Sequence, residues 1–325
     1  MSEVVETKTE VDFAESPKPQ NEKRLSGKNS FSKNIPFYLI LLPAVITVFV
    51  MQYLPMFGLL IAFKDYNARA GIFGSPWAEM NGFASFVKIF ETPAFMDAVW
   101  NTLWLNVLSL IFSFPAPIIL ALLINEVRHT GFKRTVQTIS YLPHFLSVAA
   151  VTTIINQLLN DYGLLNAILQ PLGLEPVYLL KDSNAFVPTY VITEIWRTVG
   201  WGTIVYLATI TGINSDLYEA AQIDGANRFQ QVMSITLPSI MPTTMILLIM
   251  KMGTLFGSSF EMVYGMQNPV AWKDEVIATA IYKFGINQSE YEISTALGLM
   301  QGVIAFSLTF VANTISKKVA DISMW

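Results

Sequence analysis

The stretch IPFYLILLPAVITVFVMQYLPMFGLLIAF, residues 35–63, runs for 29 positions without Asp, Glu, Lys or Arg. A hydrocarbon core about 30 Å thick needs roughly 20 apolar residues at about 1.5 Å each, so this stretch is long enough to cross one. In lipid the backbone must satisfy its own hydrogen bonds, which predicts a helix. Working outward, further apolar stretches lie at about 98–124, 136–159, 186–212, 239–260 and 293–316. Three of these are free of charge; 186–212 carries Glu194 and Arg197, and 239–260 carries Lys251. The expectation is an all-α, polytopic membrane protein with six transmembrane helices.

Composition agrees. Of 325 residues 53% are hydrophobic and 14% charged, against about a quarter charged in soluble domains. A net charge of −4, thinly spread, offers no basic face for nucleic acid. The chain has no cysteine, which excludes disulfides, thiolate zinc sites, iron–sulfur clusters and cysteine nucleophiles while leaving the redox compartment open. His129 and His144 are far apart, a poor start for a metal or catalytic cluster, so neither is assigned.

Residues 1–33 hold six basic and six acidic side chains and few aliphatics. They cannot bury enough apolar area to offset their ordering entropy, and lack the short apolar stretch of a signal peptide; a disordered cytoplasmic tail is expected, leaving 34–325 as the six-span domain. With six spans both termini share one side. That side carries twelve Lys and Arg, among them Arg128, Lys133, Arg134, Arg228, Lys317 and Lys318, against six opposite, which places the termini in the cytoplasm. Pro55, Pro115, Pro117, Pro143 and Pro242 fall inside the expected spans. They fit either kinked helices around a path or ordinary membrane-helix irregularity.

The connection INSDLYEAAQIDGANRFQQVMSITLP, residues 213–238, is too short and too polar to cross. Asp216 and Glu219 have the spacing of a capping box, predicting a helix over 217–224. Gly225 then occupies the position where a helix ends in a left-handed residue. Ala226, Phe229, Val232 and Met233 recur at helical spacing, predicting a second helix that runs to Leu237 and stops at Pro238. Such a cytoplasmic elbow, held between two spans, fits a lever that carries a partner's movement into the membrane, or a surface-lying loop helix.

Glu219-Ala220-Ala221, three residues, Gly225, nine residues, then Ile235-Thr236-Leu237-Pro238 resembles the EAA loop (E-A-A-x3-G-x9-I-x-L-P) of bacterial ATP-binding-cassette importer permeases. The runs Trp196-Arg197-Thr198-Val199-Gly200-Trp201 and Tyr206-Leu207-Ala208 are similar to those of carbohydrate-type permeases. Pro55-Met56-Phe57-Gly58, Phe63-Lys64-Asp65-Tyr66 and the ending Ser316-Lys317-Lys318 to Trp325 resemble the subgroup serving complex oligosaccharides and polysaccharide fragments.

The resemblance implies a six-span permease core in the bacterial cytoplasmic membrane. Its implied partners are a second, distinct permease subunit, two cytoplasmic ATP-binding subunits and an extracellular solute-binding protein. It also implies that Glu219, Ala220, Ala221 and Gly225 couple to the ATPase, with Asp224, Ala226, Phe229 and Pro238 supporting the elbow. No cofactor is expected on this chain: no G-x-x-x-x-G-K-[ST] loop occurs, Ser26-Gly27-Lys28-Asn29 lacking both the earlier glycine and the final hydroxyl. ATP and Mg are expected on the partner, and the chain is not expected to be an enzyme.

Intramembrane ionisable groups usually face a cavity or a partner. Glu194 and Arg197 lie three apart on one helical face and fit a mutually neutralising clamp. They fit equally a hydrophilic path with Asn156, Gln157, Trp196, Trp201 and Glu261, where polar groups meet sugar hydroxyls and aromatic faces meet C–H surfaces. For the tryptophans a membrane-interface belt is the other reading. An ion-driven secondary transporter is the alternative function, with Glu194 as its carboxylate; it would leave the elbow unexplained. A membrane enzyme would need clustered His, Asp or Glu at one face, and a scaffold or receptor subunit would not need the intramembrane polar groups.

Overall fold

The computed structural model describes residues 34–254, 260–267 and 275–320. The expected tail, residues 255–259 of the fifth expected span and the closing Trp325 lie outside the described residues. The chain divides into two compact units, one ending at Phe57 and the other starting at Gly58. In the first, helix α1 (Ile35–Val48) opens with Pro36 in its first turn, where the missing N–H interrupts no hydrogen bond, and continues into a π turn at Phe49–Tyr53. No residue of α1 is buried within the protein.

The second unit is built on α2 (Ala84–Glu91), α3 (Pro93–Ser113), α4 (Pro115–Glu126), α5 (Thr130–Tyr141), α6 (Val148–Leu159), α7 (Leu164–Leu169) and α8 (Ser183–Thr211). After these come α9 (Ser215–Ile223), α10 (Arg228–Gln231), α11 (Leu237–Thr254), α12 (Phe260–Met266), α13 (Ile277–Tyr282) and α14 (Tyr291–Ala320). Pro115 sits in the first turn of α4, which is why α3 and α4 meet there end to end.

Among the described residues four helical runs are long and apolar enough to cross a membrane: Ile35–Phe63, Pro93–Glu126, Arg228–Thr254 and Tyr291–Lys318. A fifth arises if Thr130–Phe145 and Val148–Leu172 count as one broken span. Among the described residues the protein is therefore all-helical with four to five candidate spans, and it differs from the expected spans at two stretches. The expected span 136–159 is not one rod, because its two helices meet at 102°. Pro143 tightens the chain into a 3-10 turn at Leu142–Phe145, Leu146 and Ser147 are extended, and the Ser147 hydroxyl accepts from Ala150 N–H at 3.1 Å to start α6. The expected span 186–212 is the 29-residue α8, long enough but too polar for the same test. It packs against α3, α4 and α5, so protein rather than lipid covers much of its polar surface.

Three apolar cores hold the second unit. Ile89, Phe95, Val99, Ile277, Ile293 and Leu297 join α2, α3, α13 and α14. Leu105, Phe186, Tyr190, Met262 and Val263 join α3, α8 and α12. Ala121, Ile124, Tyr206, Leu207, Ile210 and Ile240 join α4, α8 and α11. Polar seams run between them. Thr102 Oγ1 accepts from Ile277 N–H at 2.8 Å, and Asn101 Nδ2 donates to Glu275 O at 3.0 Å. Buried Asn166 clamps a loop with its amide, donating to Val177 O at 3.0 Å and accepting from Val177 N–H at 2.8 Å.

Candidate functional site

The elbow forms from local chemistry. Helix α9 begins at Asn214, whose side chain accepts from Asp216 N–H at 3.0 Å. Asp216 thus lies in the first turn, where its charge complements the helix dipole, and is not the cap the sequence spacing predicted. Asn214 is two residues closer to the preceding span and takes the cap first. The helix ends as expected at Gly225, φ +82°. Ala226 N–H donates to Ala221 O at 2.8 Å and Gly225 N–H to Gln222 O at 3.1 Å, the paired bonds of a Schellman turn.

Asn227 and Gln230 then cap each other's backbone N–H at 2.9 and 2.8 Å, a box the sequence reading passed over although N-x-x-Q is its signature. The second elbow helix does not stop at Pro238. It passes through a π turn, Val232–Thr236, in which Leu237 N–H reaches back to Val232 O, and continues as α11. The wider turn shifts the hydrogen-bond register ahead of the proline, so the ring enters without ending the helix. The second elbow helix and the span are consequently one continuous helical run, Arg228–Thr254.

Two further contacts fix the elbow's angle: Tyr218 OH with Thr236 Oγ1 at 2.8 Å, and Gln231 Nε2 donating to Ala226 O at 2.9 Å. Arg228 reaches Glu126 at 3.8 Å, tying the elbow to the end of α4. No residue of α9 is buried. Glu219, Ala220, Asp224 and Gly225 are exposed, Ala221 and Ala226 half-buried, and Pro238 exposed. Ile223 and Phe229 stand 86% and 72% exposed, an apolar pair presented outward beside the turn.

The second locus lies inside the helical bundle. Glu194 does not pair with Arg197. Its Oε1 takes Lys251 Nζ at 3.0 Å and its Oε2 takes Ser109 Oγ at 2.5 Å, linking α8, α11 and α3. The expected clamp is corrected because a lysine 57 positions away and a serine 85 away reach the carboxylate, a tertiary arrangement that helical spacing cannot reveal. Arg197 makes no ion pair among the described residues, and its Nε is buried without a partner. One turn on, Trp201 stacks on His144, rings 5° from parallel and 4.6 Å apart. Glycines on either side of Trp201 allow this. A Cβ at Gly200 would lie 2.0 Å from Ser140 O, and one at Gly202 2.8 Å from the Pro117 ring.

The remaining path candidates do not converge on that locus. Asn156 donates to Gly265 O at 2.6 Å and lines a separate cleft of about 530 Å³ with Tyr162, Tyr178, Lys181 and Gln267. At that cleft the Asp161 carboxylate, hydrogen-bonded to Lys181, holds the lysine's pKa above its ordinary value. Gln157 and Glu261 are exposed, and Trp196 is 43% exposed. His129, which the sequence left unassigned, caps α5 by accepting from Phe132 N–H at 3.1 Å.

Residues 113–321 match the family model described as "Binding-protein-dependent transport system inner membrane component". Protein LplB of Bacillus subtilis is 41% identical over 298 residues, covering 91% of this chain and 93% of that protein. The polygalacturonan/rhamnogalacturonan transport system permease protein YteP of the same organism is 40% identical over 94% of both chains. A chain of a bacterial alginate ABC transporter, crystallised in complex with an alginate pentasaccharide-bound periplasmic protein, superposes with a TM-score of 0.83 at 38% identity, covering 90% of this chain and 98% of that one.

Proposed function

This chain belongs to the family of binding-protein-dependent transport system inner membrane components, multi-pass permease subunits of ATP-binding-cassette importers rather than enzymes, and from that premise we propose that it imports oligosaccharides or polysaccharide fragments and is driven through its elbow. The observation that carries the coupling is the elbow's construction. A short exposed helix bearing Glu219, Ala220 and Ala221 is closed by the Schellman turn at Gly225, and two residues on, a continuous helical run, Arg228–Thr254, leads from the elbow into the span. A push on α9 is therefore carried across a hydrogen-bonded turn, braced by the Tyr218–Thr236 and Gln231–Ala226 contacts, into that rod.

In this reading Ala220 and Ala221 allow close approach of an ATPase surface and Glu219 pairs with a cation there. Asp224, Ala226, Phe229 and Pro238 keep the elbow's shape. The partners are a second, distinct permease subunit, two ATP-binding subunits that hold ATP and Mg, and an extracellular solute-binding protein. The relatives named for polygalacturonan/rhamnogalacturonan and alginate support the cargo class. Helix α8, together with the broken pair and the four apolar runs, completes six crossings with both termini in the cytoplasm. Asn156, Gln157, Glu194, Trp196, Arg197, Trp201 and Glu261 are the candidate groups along the path.

The test is to tag the chain in its native membrane, extract it gently and identify what co-purifies. An ATPase and a second multi-span permease in the eluate, with the ATPase lost from the Gly225→Val variant, is the expected result. A chain that emerges alone, with uptake surviving loss of the elbow, would overturn the reading in favour of an ion-driven transporter.

A further inference from the structure

The intramembrane locus carries one positive charge more than its own residues neutralise. Glu194 spends both carboxylate oxygens, one on Lys251 and one on Ser109. Of the two cations on α8 and α11, Lys251 is thereby paired, and Arg197 is left without an ion pair among the described residues. A guanidinium held among spanning helices without a counter-charge is costly unless an anion visits it. Its planar fork matches the two oxygens of a carboxylate.

The surroundings narrow the class of anion. One turn from Arg197 on the same helix, a mostly apolar cavity of about 230 Å³, walled by Phe114, Pro117, Gly202, Tyr206 and Leu247, also presents Ser113, His144, Thr198, Trp201 and Lys251. Ser113 Oγ and His144 Nδ1 are buried there without a hydrogen-bond partner, polar groups of the kind that meet sugar hydroxyls. Trp201, stacked on His144 and still 48% exposed, offers an indole surface suited to pyranose C–H groups. Gly200 and Gly202 lock Trp201 in place by seating α8 against the Ser140 backbone and the Pro117 ring. A fixed aromatic platform, spare hydroxyl partners and a surplus guanidinium describe a sugar that carries its own carboxylate.

We propose that this locus is a specificity subsite for a uronate residue, with Arg197 receiving the carboxylate and Trp201 the sugar ring. This rests on the importer reading and deepens it. The Glu194–Lys251–Ser109 cluster is a positioning group: by saturating the carboxylate it keeps Glu194 from neutralising Arg197 and leaves that cation to the cargo.

The test is equilibrium binding to the solubilised, assembled permease complex, which bypasses selection by the solute-binding protein. The probes are the trimers of galacturonate and of mannuronate, each beside its carboxyl-reduced neutral counterpart. At least one acidic trimer is expected to bind ten-fold or more tightly than its reduced partner. In Arg197→Gln that ratio falls to near one while the neutral trimer binds as before, with the complex eluting intact. Trp201→Ala weakens acidic and neutral trimers alike.

The proposal is overturned if neither acid outbinds its reduced form, or if Arg197→Gln leaves the ratio unchanged. It is overturned equally if that variant dissociates the permease pair, which would make Arg197's partner a carboxylate of the other subunit. In each of those cases co-purification of the ATPase still upholds the importer; absence of the ATPase is the separate failure of that reading.

Discussion

The elbow at 214–237 and the polar locus around Glu194 are built in opposite ways. Each cap and turn bond of the elbow's two helix ends spans five residues or fewer, from Asn214 to Asp216, Ala221 to Ala226 and Asn227 to Gln230. The polar locus is assembled from side chains 57 and 85 positions apart, and it exists only once α3, α8 and α11 have packed. A device that must meet a partner and transmit force can be made locally and presented on the surface. A device that must recognise a cargo within the membrane needs groups drawn from several helices, because only a packed bundle excludes lipid and fixes charge.

The contrast sets the sizes of the expected effects. The largest belongs to Lys251→Met, which leaves the Glu194 carboxylate without its counter-ion. Removing one partner of a pair this buried destabilises by about 3 kcal/mol, and adding Glu194→Gln recovers most of it. Thermal unfolding of the two single variants and the double variant in detergent reads this as a coupling energy. Additive effects would mean that the locus is not a unit.

Gly200→Ala comes next. Its Cβ would overlap the Ser140 backbone at 2.0 Å, which no side-chain rotation relieves, and overpacking of this kind costs on the order of 2 kcal/mol. A lowered unfolding temperature together with weakened tryptophan-dependent binding is expected. An unchanged melt would show that α8 and α5 do not lie this close.

In the elbow the effects on stability shrink while those on function grow. Nothing lies within 4 Å of a Cβ at Gly225, so Gly225→Val is penalised by backbone alone, about 1–2 kcal/mol for a β-branched residue at φ +82°. The complex should still fold but lose ATP-driven uptake, with Gly225→Asn much milder because asparagine tolerates the left-handed region. The smallest effect is Asn227→Ala, which removes one side of the reciprocal cap for about 1 kcal/mol. Hydrogen exchange is expected to quicken at residues 228–231 and nowhere in α8.

The same contrast explains what the sequence made legible. Apolar runs such as 35–63 and 293–316 appear as helices because length and absence of charge suffice. The left-handed turn at Gly225 was readable because glycine is the residue for that conformation. Errors of detail inside the elbow came from competing local candidates: Asn214 outbid Asp216 for the cap, and a π turn carried the helix past Pro238.

Legibility failed where partners are distant in sequence. Glu194 and Arg197, three apart, invited a pairing that Lys251 and Ser109 pre-empt, and nothing in the one-dimensional pattern marks them. The break at 145–148 was foreshadowed by Pro143 and Ser147, a proline and a helix-capping serine four residues apart. Helix α8 was read as a span that carries Glu194 and Arg197, and its packing against α3, α4 and α5, which the sequence does not show, is what lets it hold polar groups.

The central claim is that α9 is the contact through which a separate ATPase moves the spans, and the chain itself makes the test clean, because it contains no cysteine. Ala220→Cys would place a single thiol on the exposed face of α9. In the assembled complex the account predicts that this thiol cross-links to the ATP-binding subunit and is shielded from a soluble maleimide, with both properties changing between nucleotide-free and ATP-bound states. A thiol that reacts freely with maleimide in both states, in a complex that still imports its cargo, would contradict it.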